Sequence, residues 1–277
     1  MDIRDYSLPA GWFPRDSASV IAFLKEFDGK NRNKAGVRAA IAPHAGWYYC
    51  GRVAALGISG LCSDAETVVI LGGHLPAGSP ALFAMEDAVK TPFGYLPIDT
   101  GLRDNLLKEL SGAEDRYRDN TIEVLLPMVH YFLPKARLLW IRLPAEISSF
   151  EAGKKISQAA LKLNRRINVL ASTDLTHYGL NYGFSPQGSG KAALHWVREV
   201  NDANFIKAVE SGNKTDVLRC AEQENAACSA GAVLGVMGFA EAESLGNARL
   251  LDYSTSADIT GEEAPDSFVG YASFIYK

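Results

Sequence analysis

The sequence predicts an α/β protein in which residues 1–277 form a single domain around a mostly parallel central sheet flanked by helices. Three observations lead to this prediction. Short apolar runs rich in valine, isoleucine and leucine recur along the chain, and stretches with helical periodicity separate them. No Gly/Pro-rich linker, repeat or low-complexity tract divides the 277 residues, which are enough to bury one large core.

Four apolar runs have the length and composition of strands buried on both faces: "VRAAIA" (37–42), "TVVILG" (67–72), "ARLLWIRL" (136–143) and "INVLAS" (167–172). The last run, "FVGYASFIY" (268–276), is rich in aromatic and β-branched residues, and we expect a strand nearer an edge of the sheet. Because strands alternate with helices, βαβ units and a mostly parallel sheet are expected. The predicted helices span residues 101–112, 121–134 and 151–164.

The composition is that of an ordinary globular protein, with 47% hydrophobic residues, 22% charged residues and a net charge of -4. This balance lacks the basic excess of proteins that bind nucleic acid or anionic membranes. The N-terminal segment has no apolar core of a signal peptide, and no stretch approaches the roughly 18 apolar residues of a membrane span. We therefore expect a cytoplasmic protein. The four cysteines lack CxxC spacing, so reduced thiols are expected.

Histidine and aspartate residues follow three of the predicted strands. His44 comes two residues after the first run, His74 ends "LGGH", and Asp174 and His177 lie in "STDLTH". In an open α/β sheet, loops at the carboxyl ends of the strands converge on one crevice where ligands bind. A single histidine in such a loop is ordinarily a hydrogen-bonded loop residue, but three at successive strand ends predict a shared site.

Glycines and aromatic residues flank these histidines. Gly72 and Gly73 precede His74, and Gly46 follows His44, so the backbone can turn sharply there; plain turn glycines are the alternative. The aromatic residues 47–49 either form the wall of a pocket or pack on the core.

Cys228 lies in "NAACSAGAVLGVMGF", which predicts a tight turn that enters a helix of small residues. The start of a helix stabilises a thiolate, although an isolated cysteine can equally be a small buried thiol. Two imidazoles and one thiolate, from His44, His74 and Cys228, suit iron(II), copper or zinc rather than magnesium or calcium. Three protein ligands also leave coordination positions open, as catalytic metal sites do.

His177 is interpreted as an acid/base group whose ring Asp174 orients, although Asp174 could instead cap a helix. His195 is placed on the polar side of a helix whose apolar face includes Trp196, Val200 and Ala203. The segment "SPQGSGKAA" is not a phosphate-binding loop, because serine and alanine occupy required glycine and Ser/Thr positions. No GxSxG or HExxH motif supports a serine hydrolase or a zincin.

With these residues identified, the chain resembles the Memo family (mediator of cell motility), in particular its prokaryotic members called AmmeMemoRadiSam system protein B. "APHAGWYYCG" is similar to the family's APHAGYxYSG signature, "ILGGH" to the segment with its second histidine, and "STDLTHYG" to SSDxxHYG. "NAACSAGAV" resembles ACGxxPI, and "YSTSADITGEEAPDSFVGYASFIY" resembles the closing YxTSxDxxG and VGYAS run. The matches to the family as a whole stretch from about residue 8 to the C-terminus, and they occur in the family's order.

The resemblance implies an α/β fold related to class III extradiol (LigB-type) dioxygenases. It also implies a metal site at His44, His74 and Cys228, with Asp174 and His177 alongside. The chain departs from the pattern where the family's EHSxE segment reads "DNTIE", so Asn120 replaces a histidine. That change bears on proton transfer, and Asn120 with Glu123 could form only a helix capping box. Ser229 replaces a glycine, and "AV" at 232–233 stands where the family has Pro-Ile.

Three functional hypotheses follow. In the first, the protein is a dioxygenase-like oxidoreductase that uses a transition metal, with iron(II) as the first candidate and copper or zinc as alternatives. In the second, the crevice binds a small molecule or a peptide without catalysis, since eukaryotic relatives are associated with phosphotyrosine peptides. In the third, the protein is an accessory partner of a radical-SAM enzyme and an AMMECR-type protein. The chain has no CxxxCxxC motif, so radical chemistry would belong to the partner.

Overall fold

The computed structural model describes residues 1–29 and 37–277. The strands β1 to β12 within these residues are Ile3–Arg4, Ala39–Ala42, Thr67–Leu75, Leu82–Phe83, Ala88–Thr91, Gly94–Pro97, Ala113–Glu114, Arg137–Pro144, Ile167–Ser172, His177–Gly179, Arg249–Thr255 and Ser267–Tyr276. The helices α1 to α11 are Ser17–Leu24, Trp47–Ser59, Thr100–Glu109, Asn120–Glu123, Leu126–Phe132, Ser148–Lys162, Lys191–Trp196, Asp202–Glu210, Lys214–Glu224, Ala230–Ala242 and Ser256–Thr260. A π-helical turn, Val197–Asn201, joins α7 to α8.

Nine strands form the main sheet in the order β10-β12-β2-β9-β3-β8-β4-β7, and β11 pairs with β12 outside that order. The four central strands β2, β9, β3 and β8 are parallel. β12 and β4, which continue the sheet on either side, pair with this centre in antiparallel fashion. The predicted α/β fold with flanking helices is therefore confirmed, and its sheet is parallel at the centre and mixed as a whole. β1, β5 and β6 form a smaller sheet.

Residues of β3 alternate between the two faces of the sheet, as successive strand residues do. Val69 and Leu71 join a core cluster that includes α6 and α10, whereas Val68 and Ile70 join a cluster with α2 and α5. Because helices cover both faces, the central strands are buried throughout, which explains why they appear in the sequence as continuous apolar runs.

Two predicted elements differ in detail from the structure. The strand that begins at Thr67 continues to Leu75, so His74 is the second-to-last residue of the strand and does not follow it. The predicted helix 121–134 consists of α4 and α5, with a break before Leu126 and Pro127 in the first turn of α5. β12 is second in the order of the main sheet and so lies near an edge, as predicted, although Phe274 and Ile275 pair with both β2 and β11.

Helices α6 and α10 pack unusually closely. A Cβ atom added at Gly153 would lie 1.9 Å from the carbonyl oxygen of Gly235, so only glycine permits this crossing. The helix of small residues predicted after Cys228 is thus confirmed. Its small side chains allow the start of α10 to pack against the sheet. In the part of the chain that the structure describes, no helix has the length and apolar character needed to cross a membrane.

Candidate metal centre

Three side chains that are far apart in sequence meet at the carboxyl ends of the central strands. The ligand atoms of His44, His74 and Cys228 all lie within 4.8 Å of one another. Cys228 Sγ is 3.3 Å from His44 Nε2, and the two imidazole rings lie 5.0 Å apart at an angle of 88°. His44 is fully buried, whereas 30% of the His74 side chain is exposed. The cluster therefore has one deeply buried candidate ligand, His44, and one, His74, that is partly open to solvent.

The topology explains why these residues meet. β2, β9 and β3 are parallel neighbours, so their carboxyl ends lie at one edge of the sheet. His44 follows β2 by two residues, and His74 lies at the end of β3. The loop after β9 holds Cys228, because the Asp174 amide lies 3.3 Å from Cys228 Sγ and the Cys228 amide donates to the Asp174 carbonyl.

The glycines before His74 allow close approach of neighbouring elements. A Cβ atom at Gly72 would lie 2.3 Å from Thr121 Oγ1, and one at Gly73 would lie 2.4 Å from Ser229 Cβ. Neither glycine has a positive φ, so neither serves as a turn glycine. His74 itself has a φ of 57°, in the left-handed region that a histidine seldom adopts. Such strain concentrates at functional sites.

Each imidazole is held by its Nδ1 atom. His44 Nδ1 lies 2.8 Å from Ser172 Oγ, and His74 Nδ1 lies 2.9 Å from Asp119 Oδ2. This pairing leaves Nε2 of both rings as the nitrogen available to an ion, which is how metal-binding histidines are ordinarily oriented. Sequence reasoning did not identify Ser172 or Asp119 as part of the site.

A buried arginine forms an ion pair with Asp119. The Arg142 guanidinium lies 3.2 Å from Asp119 Oδ2 and 3.3 Å from Asp115 Oδ1. Its Nε also donates to the Gly73 carbonyl at 3.0 Å, next to His74. Arg142 thus links the partner of His74 to the backbone that carries His74. No local sequence pattern marks Arg142, which appears only as one residue of an apolar strand.

The cluster favours a thiolate at Cys228. Burial alone would raise the pKa of this thiol, but the nearby imidazoles of His44 and His74 hold the pKa well below its usual value. Burial lowers the pKa of His74, whereas the hydrogen bond to Asp119 and the charge of Cys228 raise it to about 10. Burial opposes ionisation of Asp119 too, yet His74 and Arg142 bring its pKa to about 2.

Asp174 lies between the cluster and His177. Its Oδ1 accepts the His44 backbone amide at 2.7 Å, and its Oδ2 lies 3.7 Å from His177 Nε2. Burial lowers the pKa of His177, but the carboxylate of Asp174 and the charge of Cys228 together raise it above its usual value. The element that follows Asp174 is the strand β10 rather than a helix, so the helix-capping alternative for Asp174 is wrong.

The "DNTIE" segment also faces the site. Asn120 Nδ2 donates to the His44 carbonyl at 3.0 Å. The residue that caps α4 is Asp119, and Glu123 instead accepts the backbone amides of Ser7 and Leu8. The predicted capping box of Asn120 with Glu123 is therefore wrong. Asn120 stands beside the cluster and fixes the loop that carries His44.

A cavity of about 620 Å³ lies beside the loop of His44, because its wall includes Ala45 and the two side chains that hold the His44 backbone, Asn120 and Asp174, together with His177. Of the aromatic residues 47–49, only Tyr49 lines this cavity, because Trp47 is buried in the core and Tyr48 is 68% exposed. The other aromatic residues of the wall are Trp12, Tyr182 and Tyr271.

Comparison with known proteins identifies the family of the chain. The sequence profile of the family described as Memo-like protein matches residues 4–275. A MEMO1 family protein of Pyrococcus abyssi is 30% identical, with 98% of this chain and 99% of that protein aligned. A MEMO1 family protein of Methanococcus maripaludis is 31% identical, with 91% of this chain and 88% of that protein aligned. The family match covers nearly the whole chain, including every residue of the cluster, and the chain belongs to the Memo-like protein family.

Proposed function

We propose that the protein binds one transition-metal ion through His44 Nε2, His74 Nε2 and Cys228 Sγ, and that it acts as a metal-dependent oxidoreductase. The observation that carries this proposal is the orientation of the two imidazoles, whose Nδ1 atoms are held by Ser172 and Asp119. Both Nε2 atoms are thereby left for the same ion as the thiolate.

The donor set fits a borderline or soft metal. Two imidazoles and a thiolate match the preferences of iron(II), copper and zinc. They do not suit magnesium or calcium, which need oxygen ligands. Of these metals, iron(II) and copper support redox chemistry. Three protein ligands leave positions for a further ligand beside the cavity, whereas structural zinc sites use four.

The surrounding residues position a ligand and handle a proton. When bound, the metal would supply a Lewis acid that can also change its oxidation state. His177 lines the cavity, and its Nε2 faces Asp174 Oδ2 at 3.7 Å. The nearby carboxylate favours the protonated ring, so His177 can hold a proton at the cavity wall and exchange it with a ligand. Asn120 holds the loop of His44 and offers an amide at the cavity wall.

A second candidate function is binding without turnover. The cavity is large enough for a small molecule, and aromatic rings at Tyr49 and Tyr182 can stack on a planar ligand. In that case the metal cluster would hold the cavity wall in place instead of reacting.

Metal analysis and oxygen uptake test both functions. Protein purified without oxygen is expected to retain one ion of iron or copper per chain and to consume oxygen with catechols. His44→Ala and Cys228→Ser should lose the metal, whereas Cys62→Ser, a matched change far from the cluster, should keep it. Retained metal without turnover would favour the binding function. Equal metal content in wild type and Cys228→Ser would contradict metal binding at this cluster.

A further inference from the structure

The cavity beside the cluster combines aromatic rings with an excess of acidic groups. Four aromatic side chains contribute to its wall, and the imidazole of His177 lies 5.0 Å from the ring of Tyr182. Two carboxylates, Asp174 and Glu262, also line it. Planar apolar walls of this kind bind flat ligands, and aromatic faces attract cations.

Positive charge is scarce in the same wall. Among residues 1–29 and 37–277, no lysine or arginine lines the cavity. His177 is the one basic group there within these ranges, and its ring is engaged by Asp174 at 3.7 Å. The remaining polar residues that we identify in the wall are neutral: Asn120, Asn181, Ser256, Thr260 and Ser267.

Helix starts near the cavity do not replace the missing cations. The first amide of α2, that of Trp47, donates to the Trp12 carbonyl at 2.8 Å. At the start of α11, the Asp258 carboxylate already accepts the amide and the hydroxyl of Thr255. Asp258 is paired with Arg198, which does not line the cavity, and the amides of Thr255 and Asp258 are already used in a capping box, so the start of α11 offers an anion no free donor from these two residues.

The ionisation of the wall agrees with a negative local field. Burial raises the pKa of the Tyr182 phenol, and the charge of Asp174 raises it further. A field that disfavours a phenolate also disfavours an anionic ligand at the same position.

We propose that the cavity accepts an aromatic ligand without an anionic group, and that it disfavours phosphate monoesters and carboxylates. This inference rests on the proposed function only in taking the cavity as the ligand site. A phosphate dianion in the cavity would lose hydration without gaining a lysine or arginine partner. An uncharged phenol loses little hydration free energy when it enters the cavity. A protonated aromatic amine is attracted by Glu262 and by the tyrosine rings.

Matched probes test this charge selection. We would measure the binding of 4-methylphenol, tyramine and 4-methylphenyl phosphate by ligand-observed and protein-observed NMR, before and after removal of metal by a chelator. The phenol and the amine should bind at the cavity, and the phosphate ester should bind more weakly by roughly tenfold or more. The order is read in metal-free protein, because an ion with open positions beside the cavity would itself attract the phosphate ester; failure of metal binding would therefore leave this test unaffected.

Two variants sharpen the result. Tyr182→Leu, at a side chain that is 47% exposed, should weaken tyramine more than 4-methylphenol, because a cation loses its aromatic partner. Asn181→Lys should raise the affinity for the phosphate ester, whereas the control Asn181→Gln should not. The proposal is overturned if the phosphate ester binds wild-type protein as tightly as the phenol, or if neither the phenol nor the amine binds at the cavity.

Discussion

The imidazole of His74 is held by the carboxylate of Asp119, with Nδ1 and Oδ2 separated by 2.9 Å. The other carboxylate oxygen of Asp119 accepts the amide of Thr121 and caps α4. One aspartate therefore fixes a ligand of the cluster and the start of the neighbouring helix. Since Arg142 and His74 keep Asp119 ionised, the carboxylate accepts a hydrogen bond from Nδ1–H of His74, so Nε2 is the nitrogen that gives up its proton when an ion binds.

Asp119→Asn should weaken metal binding by about 10- to 100-fold. The amide keeps the size of the side chain and an oxygen for the cap, but its NH₂ group would donate to Nδ1 of His74. The ring would then carry its proton on Nε2, where the ion must bind. Competition with a chromophoric chelator measures the affinity, and Asp104→Asn, at an exposed position on α3, is the control. Unchanged affinity in Asp119→Asn would refute the role assigned to this carboxylate.

Metal affinity should rise with pH. In the metal-free protein, the pKa of His74 is raised to about 10 and the pKa of Cys228 lies well below its usual value, so imidazolium and thiolate face each other. An ion binds neutral imidazole and therefore displaces a proton. We expect the logarithm of the affinity to increase by at least about one per pH unit near neutrality, because the pKa of His44 is raised as well despite its burial. Calorimetry in buffers of different ionisation enthalpy should detect the released proton, and pH-independent binding would contradict this assignment.

Gly153→Ala should lower the free energy of unfolding by about 3 kcal/mol, because the added methyl group meets the backbone of Gly235 at 1.9 Å. Gly101→Ala is a matched control on α3, where the nearest heavy atom to the added Cβ lies 3.7 Å away. This control should be neutral or gain up to about 1 kcal/mol from reduced freedom of the unfolded chain. Urea denaturation compares the two, and equal effects would show that the α6–α10 crossing adapts.

Asp202 should make stability fall as pH rises through the acid range. Burial raises its pKa from 3.8 to about 6 despite hydrogen bonds from Thr176 and Tyr253. Between these two values the folded state binds more protons than the unfolded state, so the free energy of unfolding decreases with rising pH, by about 3 kcal/mol for two units.

Asp202→Asn should remove this contribution, because the amide imitates the protonated acid. Its oxygen can accept from Thr176, and its NH₂ group can donate to the Tyr253 hydroxyl. The difference in unfolding free energy between variant and wild type, followed from about pH 4 to pH 7, should therefore increase in favour of the variant. A difference that is constant with pH would show that Asp202 titrates normally.

The strands and their ends could be predicted because they depend on local composition. The runs that form β2 and β9 are buried throughout and consist mostly of apolar residues. Once the sheet is parallel, the ends of these strands must meet, whatever their separation along the chain. The sequence therefore predicted that His44, His74 and Asp174 lie in one region, without any information on the direction of their side chains.

The partners of the imidazoles could not be predicted in this way. Ser172 lies 128 residues from His44, and Asp119 lies 45 residues from His74. These contacts depend on the direction of single side chains in the folded protein. A shift of one residue decides which of Asp119 and Asn120 caps α4 and which faces the cavity, and sequence spacing does not resolve that shift.

The helix that carries His195 shows a second limit. The predicted apolar face included Val200, which is 42% exposed, whereas the buried residues are Ala193, Leu194 and Val197. A π-helical turn from Val197 to Asn201 adds a residue to the turn and changes the phase of the helix. A pattern with a fixed period of 3.6 residues cannot anticipate this change.

Cobalt(II) titration followed by absorption spectroscopy tests the central claim most directly, because a thiolate bound to cobalt gives a charge-transfer band. We predict that the band appears in wild type and in Cys62→Ser with one equivalent of cobalt, is absent in Cys228→Ser, and is weakened in His44→Ala and His74→Ala. A band that persists in Cys228→Ser, or a wild-type protein that shows none, would contradict the assignment of His44, His74 and Cys228 as a single metal site.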